Sequence, residues 1–324
     1  MPRPHAPRTR VSTYLSEWMP TGDVVAPTFL YFAGGNDGAG SAVIDKITLP
    51  NETRTTLSAT LTVARQYTTG NANSGVAGYV GGGITVTTPY LTSIDKITFP
   101  ADTKTTLTAT LSAAVSQMTG FANSSVAGYF AGGSDGGNSY NYIDKITFPA
   151  DTKTTLSPTL SGAARLLGSM ANSSVAGYPA GGYLDGVGFY NTIDKITFPA
   201  DTKTTLSPTL SNATYGLGGM ANSGVAGYFG LGNYSGGYLS TIDKITFPAD
   251  TKSTLSATLT VAGTFRTGAS NTGVAGYFAG GQNGGNLSGI DKITFPADTK
   301  SISIATLSTA RTTPMGGFAD CGVF

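Results

Sequence analysis

The sequence predicts an all-β protein in which six similar sheets form a closed ring. Three observations support this: a repeat of about 50 residues, short runs rich in β-branched and aromatic residues, and glycine pairs between those runs. The motif Ile-Asp-Lys-Ile-Thr marks the repeat by starting at Ile44, Ile94, Ile143, Ile193, Ile242 and Ile290. A period of this length indicates one supersecondary unit used six times. No linker separates the copies, so residues 28–324 are expected to form one domain.

The copy at residues 126–175 illustrates how each repeat would form four strands. Residues 126–131 form a β-rich run that ends at a glycine pair and is expected to be the inner strand, and residues 143–148 suit a pleated strand. Residues 149–153 (Pro-Ala-Asp-Thr-Lys) predict a turn whose Asp and Thr side chains bond nearby backbone amides. Residues 154–160 predict an outer strand, because their proline cannot donate to a central ladder. Four strands per repeat are what a β-propeller blade requires.

The two ends of the chain complement each other. Residues 318–323 parallel residues 121–126, but the Gly-Tyr-Phe strand that follows in other copies is missing there. A matching strand occurs at residues 28–35 instead. We therefore expect one blade to be completed by both termini, which removes two open sheet edges.

The order of these elements resembles the kelch repeat. The matching parts are the run ending in Gly133, the strand 143–148, the turn 149–152, a Leu-containing stretch and Arg165. The bulky kelch Trp is replaced by Leu57, Leu107, Leu156, Leu206, Leu255 and Ser303. The resemblance covers residues 28–324 and implies a six-bladed kelch-like β-propeller.

Composition argues against several classes of function. Only 11% of residues are charged, the net charge is +1, and Lys is dispersed among the repeats, so nucleic acid is not an expected partner. With one His and one Cys, no His-rich metal site, Cys-His pair or Ser-His-Asp triad is expected. No nucleotide-binding glycine loop is visible, so no cofactor is expected. No apolar run reaches membrane-spanning length, and the N-terminus does not read as a secretory signal.

Six aspartates repeat within the Ile-Asp-Lys motif and have two interpretations. They are Asp45, Asp95, Asp144, Asp194, Asp243 and Asp291. Paired carboxylates are the usual groups for glycoside hydrolysis, so a glycan-cleaving enzyme is one reading. Six equivalent residues on six equivalent strands, each followed by Lys, favour repeated structural contacts instead. The protein is therefore expected not to be an enzyme.

Comparison of the copies separates uniform turns from variable loops. The Pro-Ala-Asp-Thr-Lys turn and the Asn-Ser-Ser/Gly-Val turn hardly change between copies. The loops after each glycine pair change freely, and so do the segments around residues 65–67, 115–118, 165–167, 215–217 and 265–266. Because alternate turns of a four-strand blade lie on the same side, the variable parts should share one face. Tyrosine with small polar residues is typical of recognition surfaces, although drift of unconstrained loops would also produce variation. The candidate ligand or partner residues are Tyr90, Tyr140, Tyr142, Tyr190, Tyr234, Tyr238, Arg65, Arg165 and Arg266.

Residues 1–27 form a separate N-terminal arm with five prolines. These prolines argue against one continuous helix, although a short one could lie at residues 11–19. The arm is either an unstructured tail or a docking peptide that orders on a partner. In the second case Tyr14 and Trp18 are the expected anchors.

The low charge, the small polar residues and the very similar repeats resemble bacteriophage virion proteins, in particular kelch-like tail or fibre-associated proteins of marine phages. This resemblance implies a non-enzymatic virion protein, assembled in the host cytoplasm and exposed outside the cell. Its arm would bind other virion proteins, and its variable loops would bind a host-surface protein or glycan. A secreted or surface lectin is the alternative expectation.

Overall fold

The computed structural model describes residues 28–87, 90–230 and 232–321, and these residues are built from strands and turns without a helix. The predicted all-β class is confirmed. Within the same residues there is no helical segment of the length and apolarity needed to cross a membrane.

The described residues form six four-stranded antiparallel sheets, numbered here along the chain. From the innermost strand outwards, sheet 1 consists of Gly316–Ala319, Thr28–Ala33, Ile44–Leu49 and Thr53–Thr56. Sheet 2 consists of Thr69–Asn73, Ala77–Gly81, Ile94–Thr98 and Thr103–Thr106. Sheet 3 consists of Thr119–Asn123, Ala127–Ala131, Ile143–Thr147 and Thr152–Thr155. In the same order, sheet 4 consists of Gly168–Asn172, Ala176–Ala180, Asp194–Thr197 and Thr202–Thr205. Sheet 5 consists of Gly218–Asn222, Ala226–Gly230, Ile242–Thr246 and Thr251–Thr254. Sheet 6 consists of Thr267–Asn271, Ala275–Ala279, Ile290–Thr294 and Thr299–Ile302.

Short strands extend two of the variable loops. Ala164–Arg165, Tyr183–Leu184 and Gly188–Phe189 form a small three-stranded sheet. Asn233–Tyr234 and Gly237–Tyr238 form a two-stranded hairpin.

The innermost strands contact one another in sequence from sheet 1 to sheet 6, and that of sheet 6 contacts that of sheet 1. This arrangement is consistent with a β-propeller. The run equivalent to residues 126–131, which the sequence suggested as the inner strand, is the second strand of each sheet. The strand before it, Thr119–Asn123 in sheet 3, lies innermost.

Close packing of the innermost strands explains why they contain glycine. A Cβ atom at Gly120 would lie 2.5 Å from the carbonyl oxygen of Gly70, and one at Gly70 would lie 2.5 Å from that of Gly317. Side chains at these positions would push neighbouring sheets apart. Sequence patterns favoured the aromatic run as the inner strand because they carry no information on this distance between sheets.

The two ends of the described chain meet in sheet 1, as the sequence predicts. Gly316–Ala319 pairs antiparallel with Thr28–Ala33, from Leu30 opposite Ala319 to Ala33 opposite Gly316. The backbone N–H of Phe29 also donates to Oδ1 of Asp320 at 2.7 Å. Sheet 1 therefore has four strands like the others.

The core lies between neighbouring sheets. In sheet 3, Tyr129 is fully buried and stacks on Phe198 of sheet 4, with ring centroids 5.2 Å apart. The equivalent contacts join Tyr79 to Phe148 and Tyr178 to Phe247. Such offset-stacked pairs stabilise an interface beyond the area that they bury.

Candidate functional site

The aspartates of the Ile-Asp-Lys motif are buried between sheets and fully engaged. Asp144 accepts hydrogen bonds from the backbone N–H of Ser112 at 2.7 Å and from its hydroxyl at 2.6 Å. The hydroxyl of Thr155 donates at 2.8 Å, and Lys153 lies 3.4 Å away. The same pattern recurs around the molecule, and Ser308 of sheet 6 donates to Asp45 of sheet 1. These contacts agree with the structural interpretation of the six aspartates.

Two arginines add to this arrangement, and one of them was a predicted ligand residue. Arg65 is fully buried, pairs with Asp95, and donates to the carbonyl oxygen of Gly82 at 3.0 Å. Arg311, which the sequence did not single out, pairs with Asp45 at 3.0 Å and is equally buried. Arg65 is therefore inaccessible to a ligand on the surface.

The aspartate of each Pro-Ala-Asp-Thr turn binds the preceding sheet, which corrects the expectation of local amide bonds. Oδ1 of Asp201 accepts a hydrogen bond from the hydroxyl of Tyr129 at 2.7 Å, and Oδ2 pairs with Lys145 at 2.6 Å. In sheet 1, Glu52 takes this position and binds Tyr277 and Lys292 of sheet 6. Sequence reasoning missed this link because the aspartate lies in one repeat and its tyrosine and lysine partners lie in the preceding one.

Burial and the adjacent carboxylate raise the pKa of the tyrosine hydroxyl in each of these links, so it remains a hydrogen-bond donor. The six tyrosines are Tyr31, Tyr79, Tyr129, Tyr178, Tyr228 and Tyr277.

The variable loops lie together on one face of the molecule, here called the variable face. The segment before each innermost strand bridges the loop after the glycine pair, as between Ser116 and Ser134 or between Tyr215 and Asn233. The uniform turns lie at the opposite ends of the strands, on a surface here called the uniform face. There the N–H of Phe148 donates to the carbonyl oxygen of Val126 at 2.8 Å, which ties one uniform turn to the other. This is the separation that strand order predicts.

The predicted tyrosines are dispersed over the variable face. Tyr140 donates to Oδ2 of Asp135 at 2.6 Å, and its ring centroid is 5.3 Å from that of Tyr142. Tyr234 and Tyr238 belong to the hairpin of sheet 5, and Tyr238 is 37% exposed.

Two further predicted tyrosines contribute to loop structure. Tyr90 approaches Gly136 of the next sheet closely enough that a Cβ there would clash with its hydroxyl. The backbone N–H of Tyr190 donates to the carbonyl oxygen of Gly182 at 3.0 Å. The candidate tyrosines therefore occupy several loops instead of forming one cluster.

The two remaining predicted arginines differ in access. Arg165 is partly exposed, pairs with Asp185 and donates to Oγ of Ser139 at 2.9 Å. Its guanidinium lies 4.7 Å above the ring centroid of Tyr183, within cation–π distance. Arg266 is 4% exposed and donates to the carbonyl oxygen of Val261 at 3.0 Å. Desolvation by burial lowers the pKa of Arg266. Only Arg165 is available at the surface.

A contiguous aromatic cluster, absent from the predicted set, crosses the middle of the variable face. Neighbouring ring centroids are 5.5–6.3 Å apart. The members are Tyr67, Tyr183, Phe189, Tyr215 and Phe265. The variable segments pointed to Tyr67, Tyr215 and Phe265 individually, but their convergence from separate sheets could not be read from the repeats.

The channel between the innermost strands, beneath this cluster, is narrow. Five equivalent residues with positive φ are linked from N–H to carbonyl by backbone hydrogen bonds of 2.7–3.1 Å: Tyr67, Gln117, Leu166, Gly216 and Phe265. Three of them, Gln117, Leu166 and Gly216, line a cavity of about 50 Å³ together with the starts of the innermost strands. A space of this size accommodates water molecules, whereas ligand pockets are typically about 300 Å³ or larger. The axial cavity is therefore too small for a ligand of sugar size.

Two predictions concern groups beyond this site. Among the described residues, no three His, Cys, Asp or Glu side chains are grouped so that they could hold a metal ion. The predicted anchors Tyr14 and Trp18 lie outside the described residues.

Comparison with known proteins gives information on the fold. The chain is similar to the solved structure of YjhT, with a TM-score of 0.67 and 12% sequence identity over 85% of this chain and 97% of YjhT. At this identity the likeness shows the fold alone. No protein-family model and no curated protein sequence matches the chain.

Proposed function

We propose that the six sheets are the blades of a closed, kelch-like β-propeller that acts as a non-enzymatic virion protein. In this proposal, the variable face binds a host-surface protein or glycan, and residues 1–27 attach the propeller to other virion proteins. The protein would then be a tail or fibre-associated component.

The observation that carries the proposal is the separation of the two kinds of residues. The contacts that join the sheets are repeated almost unchanged and lie inside the molecule or near the uniform face, as with Asp144 and Asp201. Loops that differ between repeats lie on the opposite face and carry the aromatic cluster. A rigid frame that supports divergent loops is the usual design of a recognition protein.

The buried carboxylates support a non-enzymatic role. A glycosidase needs two carboxyl groups that reach the substrate and flank its scissile bond. The six aspartates of the Ile-Asp-Lys motif are only 0–5% exposed, and their oxygens accept hydrogen bonds from neighbouring sheets. Using one of them for catalysis would break a contact between two sheets.

Virion attachment can be tested with purified particles. Mass spectrometry should detect peptides of this chain as particle components, and their absence would contradict the proposal. In the full-length chain, Tyr14→Ala combined with Trp18→Ala should reduce incorporation. The matched double variant Tyr234→Ala with Tyr238→Ala, on the variable face, should be incorporated normally.

A lectin is the second candidate, favoured by the surroundings of Arg165. Its ion pair with Asp185, its hydrogen bond with Ser139 and the ring of Tyr183 bring charged, hydroxyl and aromatic groups together on an accessible surface. Aromatic faces next to a few directed polar groups suit a polar ligand with apolar patches, such as a sugar.

A glycan array tests the lectin directly. Binding to defined sugars should be lost in Tyr183→Ala and Tyr140→Ala, and should persist in Val175→Ala on the uniform face. Sugar binding that survives both tyrosine substitutions would count against the variable face as the binding site.

A further inference from the structure

The uniform face carries an apolar ring that the proposed function leaves unused. Five equivalent valines are each 39–53% exposed: Val76, Val126, Val175, Val225 and Val274. In the same five repeats, the neighbouring Pro-Ala pairs are also exposed: Pro100-Ala101, Pro149-Ala150, Pro199-Ala200, Pro248-Ala249 and Pro296-Ala297. Isolated exposed apolar residues are common, but a contiguous apolar patch marks an interaction surface.

Hydrogen bonds between the turns hold the turns of adjacent sheets next to one another. Besides the bond between Phe148 and Val126, the N–H of Ser125 donates to Oδ1 of Asn73 in the preceding sheet at 3.0 Å. The charged groups between the turns are already paired, as in Lys145 with Asp201 at 2.6 Å. An apolar segment can therefore cover the face without desolvating an unpaired charge.

The chain enters the described structure within this face. Thr28 pairs with Leu49, which directly precedes the uniform turn at Pro50. Nδ2 of Asn271 donates to Oγ1 of Thr28 at 3.2 Å, and Asn271 begins the turn that contains Val274. The arm therefore joins the described chain at Thr28, close to the turn that contains Val274.

The sequence of the arm suits this surface. Apolar residues are spaced i, i+3, i+4, i+7 and i+8, a pattern that gives one apolar face to a helix. These residues are Val11, Tyr14, Leu15, Trp18 and Met19.

The arm is also long enough to reach the ring. Residues 20–27 span up to about 26 Å when extended. Four strands about 4.8 Å apart extend roughly 20 Å from the axis. The apolar part of the arm can thus reach any of the five valines.

We propose that residues 1–27 fold back over the uniform face of their own chain, with Tyr14, Leu15 and Trp18 packed on the valine ring. This goes beyond the proposed function and does not depend on any virion partner. If the arm also attaches the protein to a particle, it must leave its own face to do so, and attachment is then coupled to exposure of the ring.

Trp18 is the single tryptophan of the chain, so its fluorescence reports on the arm alone. In the full-length protein we expect emission that is blue-shifted relative to the urea-unfolded chain and shielded from acrylamide. Val126→Asp combined with Val175→Asp should shift the emission to the red and remove the shielding. Val187→Asp, at a 73% exposed position of the variable face, should change neither signal.

A variant of the arm provides an independent check, because it leaves the sheets unchanged. Tyr14→Ala combined with Leu15→Ala should also expose Trp18. The proposal is overturned if Trp18 is as accessible in the native protein as in the unfolded chain, or if its shielding survives the substitutions. If the protein forms a dimer, and dilution both dissociates the dimer and removes the shielding of Trp18, then a second copy of the chain covers the valines. That result would also overturn the proposal.

Discussion

Single residues join the sheets through hydrogen bonds whose donors and acceptors come from different repeats. Asp144 of sheet 3 collects donors from Ser112 and Thr155, of which Ser112 belongs to the preceding repeat. Asp201 likewise accepts a hydrogen bond from the Tyr129 hydroxyl and pairs with Lys145, both of the preceding sheet. The sequence indicated a structural role for the first aspartate, since six equivalent copies are unsuited to one active site. It could not identify the partners of the second, because Lys145 and Tyr129 lie 56 and 72 residues before Asp201.

Replacing Asp144 with Asn should destabilise the protein without changing the size of the side chain. The amide NH₂ of Asn would face hydrogen-bond donors of Ser112 or Thr155, and Lys153 would lose the ion pair with residue 144. We expect the free energy of unfolding to fall by about 2–4 kcal/mol. Urea denaturation measures this change. Asp37→Asn, at an exposed loop position, serves as the matched control and should lie within about 0.5 kcal/mol of the wild type.

Asp135 on the variable face provides a prediction about pH. Hydrogen bonds from the Tyr140 hydroxyl and from the N–H groups of Asn138 and Gly137 lower the pKa of Asp135 from 3.8 to about 2. A lowered pKa means that these bonds stabilise the loop fully above pH 3.8, and that this stabilisation is lost as the pH falls through about 2.

An NMR titration of the Asp135 carboxyl carbon should therefore give a midpoint near pH 2. Tyr140→Phe removes the strongest of the hydrogen bonds and should raise that midpoint, while Tyr190→Phe on another loop should leave it unchanged. A midpoint at the ordinary value in the wild type would show that this hydrogen-bonded loop does not form.

At the scale of elements, the strands and their faces could be predicted, but not their order from the axis. The residue pattern gave four strands per repeat, and strand parity gave the two faces. The innermost position of Thr119–Asn123 depends on how closely two sheets approach, which glycine permits and no pattern within one repeat reveals. The aromatic cluster was missed for the same reason, because Tyr67, Phe265 and Tyr215 come from three sheets.

Gly120→Ala tests the close approach of the innermost strands. Its methyl group would lie 2.5 Å from the carbonyl oxygen of Gly70, so one strand must move. Overpacking of this kind should lower the free energy of unfolding by about 1–3 kcal/mol, measured by urea denaturation. Gly289→Ala is the control, because a Cβ there meets nothing within 4 Å. Equal stability of the two variants would mean that the inner strands are farther apart.

At the scale of the whole molecule, two joints connect parts of the described chain that are far apart in sequence. The pairing in sheet 1 is one such joint. Contacts from sheet 6 to sheet 1 provide another, through Ser308 with Asp45 and Lys292 with Glu52. Each joint connects residues that are far apart in sequence, yet its contacts are equivalent to those between consecutive repeats elsewhere in the structure. Repetition made the pairing of the ends predictable, since the last copy lacks the strand that the first supplies.

Hydrogen exchange of the full-length protein, followed by mass spectrometry, tests this closure most directly. Amides of Thr28–Ala33 and Gly316–Ala319 should exchange as slowly as those of Ala127–Ala131 and Thr119–Asn123, which hold the same positions in sheet 3. Rapid exchange in both terminal strands, with the strands of sheets 2–6 still protected, would show that the ring is open.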